Sequence, residues 1–264
     1  MSKWSEFVVE GEEFPPNLIA ALSSKGRKCV IIEGGIAAGK SYTITKFFPD
    51  NQYIKREEPI DQMNEVLKPF YEGKLSADKT SELITDMCIK HAVDGIEKAQ
   101  KMNMDLVLER IAWLHKWVFY YPHGTTLASV KAIKKKILNE SYNMEDPLTK
   151  CVVRDMMIGS RTNAVSRSLI GNDYLTSPML PNTQIGADLE KKFDSIIMIL
   201  LDPPMDMVKA HATTRGRDYE KNIDIGYLEL IQARSRRLFA CVRAEIFRRI
   251  MLNTDAETLV DIFG

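Results

Sequence analysis

One run of residues carries the first chemical signal. Gly34-Gly35-Ile36-Ala37-Ala38-Gly39-Lys40-Ser41 follows the pattern G-x-x-x-x-G-K-[ST], and it stands directly after an apolar β-branched run, Lys28-Cys29-Val30-Ile31-Ile32-Glu33. A loop of this kind between a strand and a helix binds phosphate. Its glycines let the backbone fold close around the anion with successive N–H groups pointing inward, and the helix N-terminus adds partial positive charge. Lys40 then reaches the β- and γ-phosphates of a nucleotide, and the Ser41 hydroxyl is placed to ligate Mg²⁺. The loop alone does not choose among kinases, GTPases, motors and helicases, although no N-K-x-D guanine-recognition motif is present.

Three further segments carry acids and arginines. Arg56-Glu57-Glu58-Pro59 follows a second strand candidate, so Glu58 belongs at the carboxyl end of a parallel strand, where α/β sheets bind ligands. A carboxylate there can take a proton from an attacking hydroxyl, while a solvated glutamate in a turn before proline gives the same spacing. Asp105-Leu106-Val107-Leu108-Glu109-Arg110 ends a third strand with an acid and a base: Glu109 can help hold magnesium, and Arg110 can bind anionic oxygens near an acceptor. Arg215-Gly216-Arg217-Asp218-Tyr219-Glu220 follows a short helix over 204–214. Arginines on a closing loop stabilise the charge of a transferring phosphoryl group; a charged solvent loop is the plain alternative.

The elements that must position these residues are legible from periodicity. Strands are expected at 28–33, 52–56, 106–108 and 196–201, and helices at 42–48, 60–71, 77–100, 204–214 and 225–250. This alternation gives an α/β fold with a parallel sheet. Residues 1–27 read as an extension, punctuated by Phe14-Pro15-Pro16 and Ser23-Ser24-Lys25-Gly26. Residues 139–192 are rich in Asn, Ser, Thr, Asp, Gly and Pro and read as an insertion or mobile surface region. The whole of 1–264 is expected to be one domain.

Composition narrows the partners. Lys+Arg and Asp+Glu are both 36, so no net positive charge draws the chain toward nucleic acid or an anionic membrane. Cys29, Cys88, Cys151 and Cys241 are widely spaced with no C-x-x-C pair, which fits neither a disulfide framework nor a zinc site and suits a reducing compartment. No basic start followed by an apolar stretch marks a secretory signal, and the most apolar run, 196–201, is far short of the ~20 residues of a membrane helix. A soluble, intracellular protein is the expectation.

In this order the motifs resemble the deoxynucleoside kinase family, including herpesvirus-type thymidine kinases. The carriers are Ile32-Glu33-Gly34 through Ser41, then Glu58-Pro59, then Leu108-Glu109-Arg110, and finally Arg215 to Glu220, with 139–192 poorly matched. The resemblance implies a P-loop kinase fold with a lid loop. The implied activity is ATP- and Mg²⁺-dependent phosphorylation of a nucleoside 5'-hydroxyl in nucleotide salvage, and the implied assembly is a homodimer. It makes Glu58 the general base and places Arg110 near the transferred phosphoryl group. Arg215 and Arg217 become lid arginines, and Glu220 with Tyr71 holds the sugar 3'-hydroxyl.

The base pocket departs from the family pattern. Asp61-Gln62-Met63 stands where a tryptophan is frequent, Glu82 or Cys88 falls where a base-reading glutamine belongs, and Ile111 replaces a common serine, with His115 one turn further along. Met63, Cys88 and His115 are thereby substrate-pocket candidates, although on general grounds Met63 reads more readily as core filling and His115 as a packed or exposed helix histidine. The Met156-Met157 pair reads as core filling. Two other functions remain in view: a nucleoside monophosphate kinase, which needs extra arginines for the acceptor phosphate, and a non-catalytic nucleotide-binding protein. In the second, the arginine-rich helix from 225, carrying Arg234, Arg236, Arg237 and Arg243, would be a docking face. The plainer expectation for that helix is a solvated amphipathic surface covering the sheet or forming a dimer contact.

Overall fold

The apolar run before the glycine loop forms strand β1, Lys28–Gly34, and every residue of it is buried. A computed structural model of the chain describes residues 22–110, 121–122, 124–159, 189, 191–215 and 223–245. After β1 come α1 (Lys40–Phe47), β2 (Tyr53–Arg56), α2 (Ile60–Tyr71), α3 (Ala77–Met102), β3 (Asp105–Glu109), α4 (Leu127–Leu138), α5 (Pro147–Gly159), β4 (Ser195–Leu201), α6 (Met205–Thr214) and α7 (Ile225–Glu245). The four strands pair in the order β2-β3-β1-β4, and all three pairings are parallel. The fold is α/β, a parallel sheet between helices, as periodicity predicts.

The two-residue period of β1 divides the core. Cys29 and Ile31 face a layer containing Ala92, Ile96 and Ala99 of α3, Val208 of α6, and Tyr227, Leu228 and Ile231 of α7. Val30 and Ile32 face the opposite layer, with Ile44 of α1, Phe48, Val107 and Ile199. Both faces of the central strand are therefore covered, which is why β1 and β4 read as continuous apolar runs rather than alternating ones. Side chains such as Ile31, Ile32 and Leu106, with no exposed surface, each contribute about 1.5–3 kcal/mol of hydrophobic stabilisation. α2 and α3 form a hairpin beside the sheet, sealed by Met63, Val66, Ile84 and Cys88. Ser76 caps α3 by accepting a hydrogen bond from the Lys79 N–H at 3.3 Å, and Asn103, in the left-handed region at φ 52°, closes it.

Two expectations change. Part of the supposed surface insertion is core: Cys151, Val152 and Val153 of α5 are buried with Tyr121, Ile137 and Leu230. The helix hides from periodicity because its start is polar, the Asp146 carboxylate accepting from the Thr149 N–H at 2.9 Å and from its hydroxyl at 2.7 Å. The arginine-rich helix is not a solvated face in its first half. Arg234 is 3% exposed, its Nη1 2.6 Å from an Asp155 carboxylate oxygen that also accepts from the Tyr121 hydroxyl, and Arg236 pairs with Asp202 at 2.6 Å. These arginines are internal struts holding α7 to α5 and to the end of β4. Met156 packs on this same cluster, as expected of core filling. Cys29, Cys88 and Cys151 are buried free thiols. Among the described residues no helix is long and apolar enough to cross a membrane.

Candidate active site

Parallel strands all deliver their carboxyl ends to one edge, and here three of them deliver chemistry. β1 ends in the glycine loop, β2 leads into Glu57 and Glu58, and β3 ends at Glu109 and Arg110. Register brings them side by side: Glu109 pairs with Ile32 of β1, and the Arg110 N–H donates to the Ile32 carbonyl at 2.9 Å.

The loop's residue types match its geometry. A Cβ on Gly34 would lie 2.8 Å from the Leu201 carbonyl oxygen, a backbone atom that cannot step aside, so the residue there must lack one. Gly39, the residue before α1, sits at φ 88°, a region open to glycine at little cost. Ala37 is held at φ 58° without that freedom. Its carbonyl accepts from Nδ1 of the buried His211, 3.1 Å away on α6. A carbonyl only accepts, so Nδ1 carries the proton in this contact.

Lys40 and Glu109 form a buried pair. The ammonium lies 3.7 Å from a Glu109 oxygen and donates to the Gly35 carbonyl at 3.2 Å, while the Ser41 hydroxyl donates to the other Glu109 oxygen at 2.9 Å. Burial and then the Glu58 charge push the Glu109 carboxyl above its ordinary range, more than Lys40, Ser41 and Arg110 pull it down. Burial, then Arg110, hold the Lys40 ammonium below its ordinary value despite Glu58 and Glu109. Both groups are thus short of compensation, and each is suited to an incoming ion of opposite sign. Ser41 and Glu109 are hard oxygen donors adjacent to the phosphate loop. That donor set would fit a magnesium ion, a hard cation that takes oxygen ligands. Among the described residues no cluster of three or more His, Cys, Asp or Glu could hold a metal by itself.

Glu58 and Arg110 form the second buried pair, Nε to Oε1 at 2.6 Å. Burial alone would lower the Arg110 guanidinium, but Glu58, Glu33 and Glu109 together raise it above its ordinary value, so its charge is secure. Arg110 also occupies φ 68°, a left-handed conformation that costs a non-glycine residue about 1 kcal/mol or more. The ion pair and the bond to Ile32 hold it there.

Two cavities open on this edge. One, of about 310 Å³, is lined by Ala37, Ala38, Gly39, Lys40, Ser41, Tyr42, Glu109, His211 and Arg215. The other is lined on its polar side by Lys40, Glu58, Arg110 and Arg215, and on its helical side by Ile60, Met63, Leu67, Phe70, Tyr71, Thr80, Ser81 and Ile84. It has about 40 Å³ of open space, room for about three waters. Lys40 and Arg215 line both cavities.

The structure therefore brings together Gly39, Lys40, Ser41, Glu58, Glu109, Arg110 and Arg215, with Tyr71 and Met63 in the second cavity. Cys88 packs behind that cavity without lining it; its thiol is pushed up by burial and by the Glu58 carboxylate, which makes it inert. Glu82 is not a base reader: it is exposed and pairs with Lys79 at 3.0 Å. His115, Arg217 and Glu220 lie outside the described residues. Sequence reasoning missed Tyr42, His211, Thr80 and Ser81. For Thr80 a signal existed, since it shares a helical face with Ile84 and Cys88, where a polar residue breaks an apolar stripe.

No family model matches the chain, and no curated protein matches its sequence. Among solved structures, the chain is similar to deoxyadenosine kinase from M. mycoides. With bound dATP the identity is 17% and the TM-score 0.42 over 88% of this chain and 95% of that one. With bound dCTP the identity is 16% and the TM-score 0.41 over 89% and 95%.

Proposed function

We propose that the protein is an ATP-dependent kinase that phosphorylates the 5'-hydroxyl of a nucleoside or deoxynucleoside. The observation that carries this reading is the border between the two cavities. A phosphate loop faces one of them, an arginine-bound carboxylate faces the other, and Lys40 and Arg215 touch both. ATP occupies the loop cavity with its γ-phosphate toward Lys40. The acceptor lies in the second cavity with its hydroxyl at Glu58. As the hydroxyl oxygen bonds to the γ-phosphorus, Glu58 takes its proton and the bond to the β-phosphate oxygen breaks, leaving ADP. Arg110 orients Glu58, and Lys40 and Arg215 face the charge that spreads over the transferred group. Magnesium held by Ser41 and Glu109 would supply charge neutralisation between the β- and γ-phosphates. Arg217 and Glu220, which follow Arg215 in sequence, are assigned the second lid guanidinium and the contact to the sugar 3'-hydroxyl.

A neutral acceptor is favoured over a nucleoside monophosphate. The wall built by α2 and α3 contributes only apolar and hydroxyl side chains, and the cations in the cavity sit on the strand-end side, with Arg110 already bound to Glu58. The test is phosphoryl transfer from Mg-ATP to a panel of deoxynucleosides, ribonucleosides and their monophosphates. Transfer to nucleosides supports the proposal; transfer to monophosphates alone would replace it with the monophosphate kinase.

Two further results are expected. Glu109 has a raised pKa, so its carboxylate form is gained as pH rises through a value above 4.5. The increase in Tm that Mg-ATP gives should therefore grow between pH 5 and pH 8, and Glu109→Gln should flatten that growth; thermal melts across this range decide. His211→Ala, which frees the Ala37 carbonyl, should weaken ATP binding about 3- to 10-fold, with partial recovery in His211→Asn. Calorimetric titration with ATP reads both variants, and equal affinities would remove His211 from the loop's support.

A further inference from the structure

The wall that α2 and α3 present to the proposed acceptor is apolar apart from the hydroxyls of Tyr71, Thr80 and Ser81. Thr80 is 3% exposed, lines the cavity, and its hydroxyl has no hydrogen-bond partner among the described residues. Buried hydroxyls are usually satisfied, and leaving one without a partner costs stability; Thr80 differs from the equally unpartnered Thr85 in that it lines the cavity. The apolar residues Met63, Leu67, Phe70 and Ile84 line the same cavity. The unmet group is a hydroxyl rather than an amide or a guanidinium. It can donate one bond and accept at its oxygen, but with one atom it cannot make the two parallel contacts by which an amide tells one heterocycle edge from another.

We propose that Thr80 is the group that hydrogen-bonds the acceptor's base, and that this single hydroxyl makes acceptance broad across bases that present a donor or an acceptor there. The inference rests on the kinase reading above and deepens it. A site built to pair with a specific edge rejects analogues strongly, because mismatched polar groups stay buried; a lone rotating hydroxyl adapts.

The test compares wild type, Thr80→Val, Thr80→Ser and Thr85→Val by initial-rate kinetics with deoxyadenosine, deoxycytidine and thymidine, and by thermal melting without ligand. Thr85 is the control, for its hydroxyl is also buried without a partner among the described residues but it does not line the cavity. Both valine variants should melt about 2–4 °C higher than wild type, because each removes an unsatisfied group. Only Thr80→Val should raise KM for the nucleosides, by about 5- to 10-fold, with kcat and KM for ATP little changed. Thr80→Ser should stay near wild type. The wild-type kcat/KM values for the three nucleosides should lie within about 10-fold of one another. An unchanged nucleoside KM in Thr80→Val, alongside normal wild-type turnover, would overturn the role of Thr80 while leaving the kinase reading standing. Wild-type discrimination beyond 100-fold among the three would overturn the breadth. Absence of transfer to any nucleoside by wild type would instead defeat the kinase reading, and this inference with it.

Discussion

Glu58→Gln is expected to lower turnover by about 10² to 10⁴-fold while ATP binding stays near wild type. The glutamine amide keeps the shape of the side chain and can still accept from Arg110 through its oxygen, so the cavity should survive. What is lost is the ability to take a proton from the acceptor hydroxyl. Because Glu58 lines only the acceptor cavity and not the loop cavity, the defect should appear in kcat and not in the affinity for ATP. Single-turnover measurements with saturating Mg-ATP would separate these. A Glu58→Gln enzyme that turns over normally would remove Glu58 from the chemistry, and attention would pass to Glu33 and Glu109, the two further buried carboxylates near Arg110.

Lys40→Ala should cost turnover about 10² to 10³-fold and weaken ATP as well, because Lys40 borders both cavities. The resting ammonium is turned onto the Gly35 carbonyl and Glu109, and burial keeps it below its ordinary pKa. Phosphate supplies the negative charge that this position lacks, so lysine should grip the nucleotide more firmly in the transition state, where charge on the transferred oxygens is spread outward. Arginine at this position is not expected to rescue, since its broader planar fork cannot occupy the same buried slot. Rates for Lys40→Ala and Lys40→Arg, measured at saturating acceptor, test this. Near-normal turnover in either would show that the loop binds without taking part in transfer.

The sheet and the residues gathered at its edge were legible for the same reason: both are local in sequence. A strand buried on two faces is a continuous apolar run, and a phosphate loop is a contiguous set of glycines around a lysine, so 28–41 could be read residue by residue. Glu58 and Arg110 could be placed at strand ends, but their mutual pairing across the edge could not, because it depends on the strand order β2-β3-β1. His211 was illegible for a related reason: its contact is with a carbonyl far away in the chain, and a single histidine on a short helix carries no spacing signal. α5 was obscured by its polar start. The arginines of α7 were misleading because charge in a sequence does not reveal whether a carboxylate waits inside.

The α2–α3 hairpin has one more consequence. The helical wall of the acceptor cavity comes from one uninterrupted stretch, 60–102, bounded by strands at either end. The reactive groups come from the strand ends and loops around it. Under the proposed function, the helical wall that meets the acceptor and the groups that transfer phosphate would therefore be encoded in separable parts of the gene. Exchange of that single stretch offers a route to altered acceptor preference with the phosphoryl machinery left untouched.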